Sequence, residues 1–207
     1  MKKLLLFITT FFIVNLALAQ INAKLMRYMD VSNSQIVFVY GGDIWLADKN
    51  GGTAISVTNS PGEESWPRFS PDGKEIAFTA QYNGNSDVYV MPVTGGVPTR
   101  VTYNAFPDRM IEWHPDGEKL LFASAREEGT RGLREFFMVE KEGGFPKKLP
   151  IPYGELASFS PDEKKLAYIT KITENYPFKR YRGGLTSDII IYDFETQTTE
   201  RITENEA

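Results

Sequence analysis

Cysteine is absent from this chain of 207 residues, and histidine occurs once, at His114. Without cysteine there are no disulfides, no thiolate nucleophile and no zinc centre of the His/Cys kind. With a single histidine, a serine nucleophile would have one candidate base in the whole sequence. His114 stands in a turn motif whose sister segments carry Ser70 and Ser160, so a structural turn role is expected of it rather than catalysis. Basic charge is scarce as well, with 23 Lys and Arg against 27 Asp and Glu. A nucleic-acid partner needs a basic footprint to neutralise phosphates, and this balance argues against one.

The N-terminus stands apart from the rest. Lys2 and Lys3 precede an apolar run from Leu4 to Leu18, and Ala17-Leu18-Ala19 places small residues where a signal peptidase reads them. Residues 1–19 are therefore expected to be a cleaved export signal, with cleavage before Gln20 and a periplasmic or secreted mature protein. A retained anchor is the weaker reading, because the run is short and Thr9, Thr10 and Asn15 dilute it. No cysteine follows the run, which excludes a lipid-anchored start. Loss of Lys2 and Lys3 leaves 21 basic residues against 27 acids, a formal charge of −6. The chain as a whole is 42% hydrophobic and 24% charged, a composition that can bury a core.

What is present in abundance is repetition. Phe69-Ser-Pro-Asp-Gly-Lys-Glu-Ile-Ala-Phe78, Trp113-His-Pro-Asp-Gly-Glu-Lys-Leu-Leu-Phe122 and Phe159-Ser-Pro-Asp-Glu-Lys-Lys-Leu-Ala-Tyr168 align without gaps and start 44 and 46 residues apart. A second motif recurs in phase: Asp43-Ile-Trp-Leu, Asp87-Val-Tyr-Val, Glu135-Phe-Phe-Met and Asp188-Ile-Ile-Ile. A third is the pair Gly51-Gly52, Gly95-Gly96 and Gly143-Gly144, each leading to a short strand; Thr58, Thr102 and Thr203 close three of the units.

In Ser-Pro-Asp-Gly, proline presets φ, Asp suits the next turn position, and Gly accepts the left-handed conformation that completes a tight hairpin. The residues that follow alternate as in a strand, with Ile76 and Phe78 on one face and Ala77 and Thr79 on the other. Each unit therefore reads as four antiparallel strands, the size and content of a β-propeller blade. The fold expected is all-β, a propeller with blades at about 24–58, 65–102, 110–150 and 155–203. Residues 20–207 leave no room for a second domain. The first blade lacks the Pro-Asp-Gly turn, and Glu163 replaces Gly in the fourth, which implies a different turn or some strain there. Both terminal blades look complete, and four blades rarely close a ring, so this stretch is expected to be part of a larger one.

Catalytic and ligand chemistry is thin. Glu63-Glu64 and Glu127-Glu128 are adjacent carboxylates that an extended chain points to opposite sides, so surface solvation is expected of them. Asp72, Asp116 and Asp162 recur with the repeat and read as turn residues, not calcium ligands. No helix follows the Gly-Gly pairs to form a phosphate cradle. No cofactor, no metal and no catalytic residue is assigned.

Topology narrows where a partner goes. In a four-stranded meander the first and third turns share one face, and the second loop and the interblade connection share the other. The longer segments 80–86, 124–134, 171–186, 59–65 and 103–109 all fall on that second face, and function tends to sit on such loops. The longest carries Tyr176, Phe178, Lys179, Arg180, Tyr181 and Arg182, an aromatic and basic cluster suited to a peptide carboxylate or a protein partner. The alternative is that its rings pack the loop onto the blade while the cations face water.

The turn motif together with Asp-Ile/Val-Trp/Tyr-Val and Gly-Gly…Val-Thr resembles the repeats of TolB-like propellers and of the six-bladed propeller that opens tricorn proteases. Phe178-Lys-Arg-Tyr-Arg-Gly-Gly-Leu-Thr-Ser-Asp-Ile-Ile-Ile-Tyr-Asp193 is similar to a Tyr-Arg-Gly-Gly…Asp-Ile-Trp-Ile-Tyr-Asp stretch of bacterial tricorn homologues. The resemblance covers residues 25–203. It implies the propeller portion of a large serine peptidase whose catalytic Ser and His lie in a downstream domain, so that no residue here inherits a catalytic role. The implied task is substrate access or peptide binding, with oligomerisation through the full-length protein. The alternatives are a stand-alone periplasmic binding propeller of the TolB kind and the screening propeller of an oligopeptidase.

Overall fold

The structure is a computed structural model and describes residues 25–127, 133–171 and 188–203. Within them the chain forms sixteen strands. In chain order these are β1 (Arg27–Val31), β2 (Gln35–Tyr40), β3 (Asp43–Asp48), β4 (Ile55–Ser56), β5 (Glu64–Phe69), β6 (Glu75–Ala80), β7 (Asp87–Pro92), β8 (Thr99–Arg100), β9 (Asp108–Trp113), β10 (Lys119–Ser124), β11 (Glu135–Glu140), β12 (Lys147–Lys148), β13 (Leu156–Phe159), β14 (Lys165–Ile169), β15 (Ile190–Asp193) and β16 (Thr198–Arg201). They pair as four separate four-stranded sheets, each an antiparallel meander in chain order. This is the propeller-blade pattern that the repeats imply.

The strands in the middle of the chain read as continuous apolar runs because both of their faces are covered. Val37, Val39, Ile44 and Leu46 of the first sheet pack with Ile76, Phe78, Ala80, Tyr89 and Met91 of the second. The opposite face of the second sheet, through Ala77, Val88 and Val90, packs on Met110, Trp113, Leu120, Phe122 and Phe137 of the third. Ile111, Leu121, Ala123 and Phe136 then meet Leu166, Tyr168 and Tyr192 of the fourth. Alternation along β6 thus splits Ile76 and Phe78 from Ala77, as the pleat requires, and sends them to different neighbours.

The turns follow the repeat. Gly73 N–H donates to Ser70 O at 2.8 Å, Gly117 N–H to His114 O at 2.9 Å, and Glu163 N–H to Ser160 O at 2.9 Å. All three residues take a left-handed φ, 72°, 74° and 62°, so the turn is the same in the fourth blade and Glu163 bears the strain. Asp72 and Asp162 hold the turns by accepting from the hydroxyls of Ser70 and Ser160 at 2.7 and 2.6 Å. His114 does the matching job, with Nδ1 2.9 Å from Asp116 Oδ2 and its ring edge-on to Phe159.

Candidate functional site

The blades are linked around the axis by two circuits of side chains. At the short-turn end, the next-to-last residue of β1, β5 and β9 reaches the next blade. Asp30 Oδ2 accepts Phe69 N–H at 2.8 Å, Arg68 Nε donates to Ile111 O at 3.0 Å, and Glu112 Oε2 accepts Phe159 N–H at 3.0 Å. These bonds satisfy backbone groups on the free edge of each innermost strand, which no further strand can pair. Deeper along the same strands, matching bulges in β1 and β5 put Tyr28 and Trp66 at left-handed φ of 52° and 55°. Their rings lie 4.5 Å apart, tilted by 36°, the Arg109 guanidinium covers Trp66 at 5.1 Å, and Arg109 continues to Glu155 of the fourth blade at 2.5 Å.

Between these innermost strands, at the short-turn end, lies a cavity of about 590 Å³ walled by all four blades. Asp30, Arg68 and Glu112 line it, Pro71, Pro115 and Pro161 rim it from three successive turns, and Phe69, Trp113 and Phe159 form its apolar wall. Burial pushes the Glu112 carboxyl above its usual value; the donors Phe159 N–H and Ser158 and the cation Arg68 pull the other way, and Asp30 adds to the rise. Among the described residues neither acid forms an ion pair, and Arg68 keeps its Nη2 free of hydrogen bonds. Also among the described residues, no group of three or more His, Asp or Glu is placed to hold a metal ion.

The opposite end of the sheets carries a second pattern, and it explains two motifs. An acid at the start of the third strand, or just before it in the fourth blade, is buried and meets a cation at the end of the fourth strand: Asp87 with Arg100 at 2.6 Å, Glu135 with Lys148, and Asp188 with Arg201. Two residues beyond the Arg of the second and fourth blades, a threonine hydroxyl accepts the next N–H of the third strand. The pairs are Thr102 with Val88 at 3.0 Å and Thr203 with Ile189 at 2.9 Å, and Thr58 serves Ile44 likewise at 2.8 Å. Asp43-Ile-Trp and Val-Thr are two halves of one contact, a coupling visible in the sequence only as a shared phase.

One expectation changes. Glu64 is not solvated: it is 3% exposed and receives Ile44 N–H at 2.9 Å together with the hydroxyls of Thr58 and Tyr82. Its neighbour Glu63 is exposed, so adjacency did separate the two, but one was turned inward between blades. Among the described residues, the cavity bordered by all four blades lies at the short-turn end. Loop length shows in a sequence, whereas an axial void depends on how four strands splay. Tyr176, Phe178, Lys179, Arg180, Tyr181 and Arg182 lie outside the described residues, and so does Glu128. Glu127 is exposed and bonds Lys148 at 2.9 Å.

Comparison with known proteins completes the picture. A putative tricorn protease homolog 2 of Streptomyces coelicolor is 31% identical over 177 residues, which is 81% of this chain but 15% of that protein. A putative tricorn-like protease N-terminal subunit of Sulfurisphaera tokodaii is 26% identical over 79% of this chain and 85% of its own length. Among solved structures, the tricorn protease superposes with a TM-score of 0.75 at 22% identity, over 88% of this chain and 18% of that one. A TolB from Agrobacterium tumefaciens gives 0.66 at 21% identity, over 82% and 61%. The model of the tricorn protease N-terminal beta propeller domain matches residues 23–207, and the chain belongs to that family.

Proposed function

We propose that this propeller serves an exported tricorn-like serine peptidase as a passage or docking site for peptides, with bond cleavage carried out elsewhere. The observation that carries the reading is the axial cavity, bordered by all four blades and lined by Asp30, Arg68 and Glu112, of which Asp30 Oδ1 and Arg68 Nη2 take no hydrogen bond among the described residues. His114, the single histidine, is engaged in its turn with Asp116 and Phe159. Export rests on the pattern Lys2-Lys3, Leu4–Leu18 and Ala17-Leu18-Ala19. The Sulfurisphaera relative, described as an N-terminal subunit, supports a catalytic partner that is either continuous with this chain or separate from it. The likeness to TolB favours the second reading, a periplasmic protein-binding propeller that acts without a peptidase.

These 207 residues contain no cysteine, so a direct test is available once any cysteine elsewhere in the full-length protein has been replaced. Asn33, exposed at the cavity rim, is changed to Cys in the full-length protein and capped with a bulky maleimide; Thr53→Cys at the far edge is the control. Hydrolysis of long peptides is expected to fall several-fold with the plug at Asn33, while a short fluorogenic peptide is cleaved as before. Equal rates for both plugs would remove the passage reading. An immunoblot of periplasmic and cytosolic fractions tests export, and a periplasmic band near 23.4 kDa with no peptidase activity would favour the TolB-like reading.

A further inference from the structure

The axial cavity differs from the ion-paired contacts between the blades in one respect. Buried or half-buried acids elsewhere come with a cation of their own: Asp87 has Arg100, Asp108 has Arg126, Glu135 has Lys148, Glu155 has Arg109 and Asp188 has Arg201. Glu64 instead has hydroxyl and amide donors on both oxygens, and so does Glu112, from the Ser158 hydroxyl at 3.2 Å and Phe159 N–H at 3.0 Å. Among the described residues Asp30 and Glu112 line the cavity without any cation bonded to them, and the pair is separated in chain order by a blade whose corresponding residue, Arg68, is turned to other work. Arg68 spends Nε on Ile111 O and Nη1 on Pro67 O, both neutral acceptors. Asp30 spends only Oδ2, on Phe69 N–H, which leaves Oδ1 open. Asp72 at the rim is held ionised, its carboxyl drawn down to about 2 by the Ser70 hydroxyl and by Lys74. Asp72 has Lys74 as its own counter-ion at 3.0 Å, and Asp30 and Glu112 against one arginine leave the lining an excess of negative charge, focused by walls of Phe69, Trp113, Phe159 and three prolines.

We infer that the cavity binds a cationic side chain, a lysine or arginine of an incoming peptide, with its aliphatic stem on Pro71, Pro115 and Pro161 and its charged head between Asp30 and Glu112. Long cationic side chains combine an apolar stem with a charged tip, which is the order in which this cavity presents its rim and its floor. Arg68 Nη2 is left to donate to a backbone carbonyl of the same peptide, so the wall discriminates an extended basic segment from a free cation. A volume of about 590 Å³ accommodates such a side chain with its flanking backbone. The inference rests on the peptide-binding reading above and adds the chemical class of the peptide.

The test is calorimetric titration of the full chain with three blocked pentapeptides that differ only at the centre, acetyl-Ala-Ala-Lys-Ala-Ala-amide and its norleucine and glutamate counterparts. The lysine peptide is expected to bind at least about tenfold more tightly than the other two, since a charge-assisted contact is stronger than its neutral equivalent. Salt is expected to weaken it. Asp30→Asn with Glu112→Gln should abolish the preference and leave the melting temperature near that of the parent. The amide oxygens of those variants still accept Phe69 and Phe159 N–H, so the blades stay latched. Equal binding of the three peptides would overturn the inference while leaving peptide binding intact. Tighter binding of the glutamate peptide, lost in Arg68→Gln, would overturn it in favour of an anion site. No binding of any of the three, together with no effect of the plug at Asn33, would remove both readings.

Discussion

At the scale of single residues, Glu163 shows what a departure from the repeat costs. Its φ of 62° matches Gly73 and Gly117, but a side chain there meets the following carbonyl, a strain of about 1–2 kcal/mol. Glycine relieves that strain and gives back part of the gain through its greater freedom in the unfolded chain. Glu163→Gly is expected to stabilise the chain by about 0.5–1 kcal/mol, read from the urea midpoint. A lower midpoint would mean that the Glu163 side chain supports the turn in some way its geometry does not show. The neighbouring aspartates set the acid limit of these turns. The Ser70 hydroxyl and Lys74 hold Asp72 down at about 2; at Asp116, desolvation opposes the shift, but Lys119, Glu118 N–H and His114 outweigh it and bring the group to about 2. Their support is present above the usual carboxylate range and is lost as pH falls toward 2. Such turns were legible from the sequence because all their partners lie within five residues.

At the scale of the element, Glu64 shows where sequence reading stops. Its partners come from β3, from the end of the first blade and from the loop after β6, at separations of 20, 6 and 18 residues. No local pattern announces that contact, and adjacency to Glu63 suggests solvent instead. Burial pushes the Glu64 carboxyl above its ordinary value; the hydrogen bonds from Thr58, Tyr82 and Ile44 pull against it, and Asp43 adds to the rise. The folded state therefore holds this proton more tightly than the unfolded chain does. By linkage, the contribution of Glu64 to stability is greatest at low pH and declines as pH rises from about 4.5 through the folded value. Glu64→Gln keeps an oxygen for Ile44 N–H and Thr58 and an amide for the Tyr82 oxygen, and it never ionises. Thermal melts of the variant are expected to be flatter with pH above 4.5 and higher than those of the parent at pH 7. A variant less stable than the parent at pH 7 would show that the charge-assisted hydrogen bonds outweigh desolvation at this junction.

At the scale of the whole molecule, equivalent positions have unequal burial according to which blade precedes or follows them. Phe69 and Trp113, at 7% and 3% exposure, rest on the preceding blade, while Val31, which opens the corresponding turn in the first blade, is 56% exposed. On the same strand Met29 is 62% exposed, and Leu25 just before it 61%. On the other flank, Val88 is wholly buried against the third blade, whereas Ile189 at the matching position of the fourth is 45% exposed. The repeat made the four sheets and their order readable, because each unit carries its own turns and alternation. It could not show which faces lack a neighbour, since that is a property of position in the ring. An apolar flank on each side of the array invites another copy when nothing else covers it. The chain of residues 20–207 by itself is therefore expected to self-associate with rising concentration in size-exclusion chromatography with light scattering. Met29→Lys with Val31→Lys should shift it toward monomer, because both side chains are exposed and neither belongs to the core clusters between the sheets. A parent that stays monodisperse and melts cooperatively would mean that these flanks are tolerated in water, and the case for a further body that covers them would lose its physical ground.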